Sequence, residues 1–177
     1  KGKDNYLYIG KSKFLDLTGG LTSHAILGWS NPSIEKGIIS QMKKISHLDY
    51  KNYYSDLRES LANILITKKF GLGKVFFVGS SGAEACEASM KMSYQYFYDQ
   101  GKKTKKYFIS RKQSYHGCTT DAISVGERPN LNFYKPFFSN YRKKINENNI
   151  FKHKRYNETE LEYSKRSALE LEKMIIK

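Results

Sequence analysis

The run Lys74-Val75-Phe76-Phe77-Val78 leads without a break into Gly79-Ser80-Ser81-Gly82, and from Ala83 onward the chain takes up helical spacing. A short apolar run between glycines reads as a buried strand, too short for a helix of its own. A strand that passes through a small-residue turn directly into a helix is the building unit of α/β folds. At that turn the first N–H groups of the helix have no intrahelical partner, and the helix dipole adds positive potential, so the turn suits an anion such as a phosphate. Glycine permits close backbone approach, and Ser80 and Ser81 would add hydroxyl donors without bulk. Taken alone a Gly/Ser turn of this kind is more often a mere connection, and the pattern is neither a P-loop nor a G-x-G-x-x-G fingerprint, which disfavours nucleoside triphosphates and dinucleotides.

Around this unit the periodicity assigns further elements. Tyr6–Ile9 and Lys13–Leu17, separated by Gly10-Lys11-Ser12, form a hairpin, and a loop from Thr18 to Gly28 follows. Asn31-Pro32 supplies a cap and a first-turn proline for a helix from Pro32 to Ser46, striped by Ile34, Ile38, Met42 and Ile45. Leu57, Leu61, Ile64 and Leu65 stripe a second helix, ended by Gly71 and Gly73. The helix from Ala83 to Tyr98 should bury Ala85, Ala88, Met92 and Tyr96. Tyr107–Ser110 and Ala122–Val125 are strand candidates, residues 126–157 read as a surface excursion, and Thr159–Lys177 is a helix with Ala168, Leu171 and Ile175 facing inward. The alternation of strand and helix predicts a mostly parallel sheet with crossover helices, and two or three strands leave that sheet incomplete.

A chain of 177 residues with 39% hydrophobic content suits one folded core. No stretch approaches the length of a membrane helix and the first residues carry no apolar signal core, so a cytoplasmic protein with no membrane partner is expected. Cys86 and Cys118 lack metal-ligand spacing and read as free thiols, and no metal site is expected. The net charge of +14 raises the question of nucleic acid. Only six of the 31 basic residues are arginine and they are scattered, so a basic nucleic-acid-binding module is the least favoured reading.

A second element, Ser114-Tyr115-His116-Gly117 followed by Thr119, lies in the loop after the Tyr107–Ser110 strand. An aromatic face there could stack on a planar cofactor, with a histidine offering a polar edge. An ordinary loop pair is the plainer alternative. Taken together, the run Val75–Tyr94 and the Ser-Tyr-His-Gly-x-Thr element resemble, in order and register, the phosphate turn and ring-stacking loop of the class III aminotransferases. Upstream, Phe14-Leu15-Asp16-Leu17-Thr18-Gly19-Gly20, Leu27-Gly28-Trp29-Ser30-Asn31-Pro32, Gln41 and Ser46-His47 resemble the family's approach to its large domain. Two departures are Ser80 for the commoner asparagine and Trp29 for the commoner histidine.

That resemblance implies an α/β, fold type I large domain, normally dimeric, that binds pyridoxal 5'-phosphate (PLP). Residues 1–48 would be an N-terminal hairpin, loop and connecting helix, and residues 49–177 the first part of the PLP-binding large domain. Gly82 and Ala83 would offer N–H groups to the phosphate with Ser81 adjacent, Tyr115 would stack on the pyridine ring, and His116 and Gly117 would complete that wall. Trp29 and Tyr53 would fall on the substrate or dimer side. The implied reaction moves an amino group from an amine or ω-amino acid to a 2-oxo acid, and a mutase or racemase relative shares the same elements. It requires a Schiff-base lysine and a carboxylate on the pyridine nitrogen. The family carries both beyond the Tyr-His-Gly element, so no catalytic residue is assigned here; Lys91 and Lys112 read as solvated. The alternative from another class is a truncated, non-catalytic protein that keeps the fold.

Overall fold

The computed structural model describes residues 1–20, 24–49, 52–66, 71–79 and 81–176. They form two compact units, Lys1–Lys74 and Val75–Lys177.

In the first unit β1 (Gly2–Lys3), β2 (Tyr6–Ile9) and β3 (Ser12–Leu15) make an antiparallel meander. The hairpin pairs Tyr6 with Leu15 and Ile9 with Ser12, and Gly10 takes the left-handed conformation its tight turn needs (φ +58°). An isolated bridge joins Asp4 to Trp29, and the Asp16 carboxylate gathers the segment that follows. It accepts bonds from Thr18 N–H at 2.9 Å, Thr18 Oγ1 at 2.7 Å, Gly20 N–H at 2.7 Å and Trp29 Nε1 at 2.9 Å. These donors hold the Asp16 carboxyl down at about 2. Helix α1 (Pro32–Lys44) starts where the cap chemistry demands: Asn31 Oδ1 accepts from Ser33 N–H at 3.0 Å, with Pro32 in the first turn. Its stripe of Ile34, Ile38 and Met42 is exposed in this unit. Helix α2 (Asp56–Leu65), capped by Ser55, ends before the glycines, its C-cap Ile66 already extended.

In the second unit α3 (Gly82–Asp99) leads to β4 (Phe108–Arg111), α4 (Thr120–Gly126), a 3₁₀ helix (Pro129–Phe137), β5 (Arg142–Ile145), α5 (Ile150–His153) and α6 (Glu160–Ile176). β4 and β5 pair in parallel, Phe108 opposite Arg142 and Arg111 opposite Ile145. The core collects Ala83 and Met90 from α3, Ala122, Ile123 and Val125 from α4, Ile145 from β5 and Tyr163 from α6. Asp121 binds Arg142 at 2.9 Å, which ties the first turn of α4 to β5.

Four expectations are corrected. Residues 72–78 are in no strand: a ladder needs a neighbour to exchange hydrogen bonds, and no described strand pairs with them. Ala122–Val125 is helix, not strand; an apolar run this short fits a helix buried on every side as well as it fits a buried strand. The stretch from 126 to 157 is not featureless, because it contains β5, whose Arg-Lys-Lys-Ile sequence lacks the apolar run that marks a strand. Finally, the inward faces of α3 and α6 are rotated from the expected ones. Ala83 and Met90 are buried while Met92 and Tyr96 are more than half exposed, and α6 buries Tyr163 while Ile175 is exposed. The small residues Ala85 and Ala88 marked a permissible contact face, but α3 packs against α4 through the neighbouring stripe.

Candidate functional site

Ser81 is the N-cap of α3, and with Glu84 it closes a capping box. Ser81 Oγ accepts from Glu84 N–H at 3.3 Å, and Glu84 Oε2 accepts from Ser81 N–H at 3.0 Å. The Ser81 hydroxyl is therefore committed to the helix start rather than held open as a donor. A side chain at Gly79 would meet the Glu84 carboxylate, the far end of a flexible side chain that the capping box holds there. Ser80, expected to add a second hydroxyl, lies outside the described residues. Glu84 N–H is bonded to Ser81 Oγ and Ala85 N–H to Ser81 O at 3.2 Å, whereas the N–H groups of Gly82 and Ala83 have no partner among the described residues. The space a Gly82 side chain would enter is open. Two unengaged N–H groups at the head of an 18-residue helix, beside a glycine facing open space, fit a phosphate.

The second motif closes on this turn from the other side. Gly117 has φ +133° and lies so close to α3 that a Cβ on it would sit 2.5 Å from Ala83 Cβ and 3.1 Å from Ala122 Cβ. Thr119 Oγ1 donates to Glu87 Oε1 at 2.5 Å, one helical turn further along α3. Within the loop, Ser114 Oγ donates to Arg111 O at 2.6 Å, and His116 Nε2 lies 3.1 Å from Ser114 Oγ. Tyr115 keeps 57% of its surface exposed. The Arg128 guanidinium sits 4.4 Å from the centre of its ring and covers one face in a cation–π contact.

The structure thus brings Ser81, Gly82, Ala83, Tyr115, His116 and Gly117 into one neighbourhood. Trp29 and Tyr53 belong to the first unit: the Trp29 indole is held by Asp16, and Tyr53 is exposed with its N–H on Asp49 O at 3.0 Å. Lys91 is exposed, and Lys112 is exposed with its Nζ 3.1 Å from Asn146 Oδ1, as solvated side chains should be.

Sequence reasoning passed over Glu87, Arg128 and Lys144. Lys144 on β5 donates to Ser110 Oγ at 2.9 Å and reaches Gly126 O at 3.5 Å behind the Tyr115 loop. Burial pushes its ammonium down to about 8, opposed by the attraction of Glu127 and assisted by repulsion from Arg142. Its neighbours in sequence are also basic, so nothing local singled it out. A separate apolar groove, lined by Tyr94, Phe97, Tyr107, Phe108 and Met174, contains neither motif. Cys86 and Cys118 are unpaired thiols, and no helix among the described residues is long and apolar enough to cross a membrane.

A mixed α/β unit sets an aromatic loop against a helix start whose first two N–H groups have no partner among the described residues, and comparison with known proteins assigns its class. Residues 1–176 match the family Aminotransferase class-III, and the chain belongs to that family, whose members use PLP. It is 31% identical over 174 residues to an uncharacterized aminotransferase of Schizosaccharomyces pombe, covering 97% of this chain and 38% of that protein. Against the acetylornithine aminotransferase of Aquifex aeolicus it is 35% identical over 138 residues, or 77% of this chain and 35% of the relative. The crystal structure of a thermostable omega transaminase mutant from Pseudomonas jessenii superposes with a TM-score of 0.89 at 27% identity, covering 99% of this chain and 39% of that one. The chain therefore spans well under half the length of these relatives.

Proposed function

We propose that this chain is the cofactor-anchoring part of a PLP-dependent aminotransferase that moves an amino group from an amine or ω-amino acid to a 2-oxo acid such as pyruvate or 2-oxoglutarate. The observation that carries the reading is the contact of Gly117 with Ala83, because it sets the stacking loop against the helix start whose Gly82 and Ala83 N–H groups are unengaged. In this reading those two N–H groups hold the phosphate, Tyr115 stacks on the pyridine ring, and His116 and Gly117 complete the wall. Bound PLP supplies the electron sink for amino-group transfer, and the protein supplies anchorage and orientation. The Gly82 cradle suits a phosphate because backbone donors fix an oxyanion without bringing a side chain into its space. The relatives that carry specific names, an acetylornithine aminotransferase and an omega transaminase, support a donor of the amine or ω-amino class. Pairing of two copies into a homodimer, with Trp29 and Tyr53 on the substrate or dimer side, belongs to the same proposal.

The test is an absorbance spectrum of PLP mixed with the 177-residue chain and with the full-length product of its gene, before and after borohydride reduction. The longer product should give a cofactor band that borohydride fixes to one lysine. Absence of such a band in both would overturn the enzymatic reading and favour a non-catalytic protein of the same fold. In the longer product Gly82→Asp should abolish cofactor retention, since a carboxylate would occupy the open space and repel the phosphate.

A further inference from the structure

We propose that Glu87 and Thr119 form a clasp that sets the distance between the phosphate turn and the Tyr115 loop, which makes both of them positioning residues for the cofactor. The inference rests on the cofactor placement given above and adds two residues to it.

Three observations carry it. The Thr119 hydroxyl donates to the Glu87 carboxylate at 2.5 Å in a partly buried setting, the short geometry of a charge-assisted bond. Thr119 is also the N-cap of α4: its backbone is extended at φ −74° and ψ 159°, and its carbonyl accepts from Ile123 N–H at 2.8 Å. A threonine in that position ordinarily turns its oxygen onto the N–H groups of its own helix, yet here it makes no side-chain cap bond. The local stabilisation of α4 is forgone, and the hydroxyl reaches across to α3 instead. Third, Ala83 and Glu87 are four residues apart on α3 and so share a face. Gly117 meets the first and Thr119 the second, which places two contacts in register along one helix.

The two contacts act differently. The approach of Gly117 to Ala83 is limited by backbone and Cβ atoms and stops the loop from coming closer. It does not prevent the loop from moving away. A directional hydrogen bond to a carboxylate does, and the pair together permit one separation. Tyr115 lies two residues before Gly117, and the N–H groups of Gly82 and Ala83 lie at the other end of the contact. A rigid ligand held at its phosphate and stacked on its ring requires that span to be constant, because small displacements of a bound group carry large penalties in orientation.

The experiment uses the full-length gene product and reads two quantities, the PLP dissociation constant and the circular dichroism of the bound cofactor, which reports its orientation. Thr119→Val keeps the shape and removes the hydroxyl; it should raise the dissociation constant about tenfold, as loss of a hydrogen bond to a charged group does, and weaken the cofactor dichroism. Thr119→Ser restores the donor and should stay within about twofold of the parent. Glu87→Gln, which keeps one acceptor oxygen, should fall between the two, and it provides the same readout if Thr119→Val lowers the yield of folded protein. The double variant should be no weaker than Thr119→Val alone, since both substitutions break one bond. Parent-like affinity and dichroism in Thr119→Val, or losses that add in full in the double variant, would overturn the clasp while leaving the cofactor placement standing. Undiminished PLP affinity in Gly82→Asp would instead remove the placement itself, and the proposal with it.

Discussion

Gly117 and Gly82 stand in the two motifs of the site, and substitution of each by alanine should have opposite effects. Gly117 has φ +133°, a region that side-chain-bearing residues rarely adopt, and imposing it on alanine costs about 1–3 kcal/mol. The new methyl would lie 2.6 Å from Ala83 Cα, a backbone atom that cannot yield unless the start of α3 moves. Overpacking of that kind costs a further 1–3 kcal/mol or so. The total, about 2–6 kcal/mol, is a large part of the roughly 5–15 kcal/mol that keeps a domain folded. Gly82 has open space where its Cβ would go and sits at the first position of a helix, so Gly82→Ala should raise the stability of the cofactor-free protein by about 0.4–1 kcal/mol. In the same variant PLP affinity should fall, because the methyl occupies the phosphate cradle. Urea unfolding of the cofactor-free full-length gene product, with midpoints compared at constant slope, measures the first pair of effects, and a PLP titration the third. A Gly117→Ala midpoint equal to the parent's would refute the close approach of the two motifs.

Tyr115→Ala should weaken PLP binding by about 1 kcal/mol through lost stacking, measured by titration; an unchanged constant would count against a stacking role. Lys144 has its folded pKa lowered to about 8 from an ordinary 10.5, so between those values the unfolded chain binds more protons than the folded one. Stability should accordingly rise as the pH climbs through that window, and Lys144→Met, which keeps the stem and removes the charge, should lose that increment when urea midpoints at the two ends are compared. Asp16 has its pKa held at about 2, below its ordinary 3.8, so its contribution is present above 3.8 and is lost as the pH falls toward 2. Trp29, the only tryptophan, donates to Asp16, and its fluorescence should shift across that window in the parent and stay flat in Asp16→Asn.

The elements that sequence reading placed well are those whose ends carry their own chemistry. Asn31-Pro32 starts α1 and Ser81 with Glu84 starts α3, because caps are local devices that need only the residues beside them. The same is true of the hairpin, whose turn requires a glycine at Gly10. What sequence reading misplaced depends on distant neighbours. Ala122–Val125 has the composition of a strand, and only burial on all sides, with Ser124 turning its hydroxyl onto Asp121 O at 2.7 Å, makes it a helix. Val75–Val78 has the composition of a strand too, but no partner among the described strands gives it a ladder.

The site divides along the same line. In the proposed site the backbone donors and the aromatic ring have a spelling, Gly-Ser-Ser-Gly and Tyr-His-Gly, because a phosphate and a planar ring would call for those residue types. The parts that hold the two pieces together have no such spelling. Glu87 is one of several acidic residues on a polar helix, and Arg128 one basic residue in a strongly basic chain. Thr119 alone leaves a local trace: a threonine before Thr120-Asp121 invites a capping assignment, and the absence of that cap bond in the structure shows that its hydroxyl is used elsewhere. A cap residue whose side chain does not cap is therefore a place to look for a long-range constraint, and here it points from α4 to α3 and to the spacing of the site.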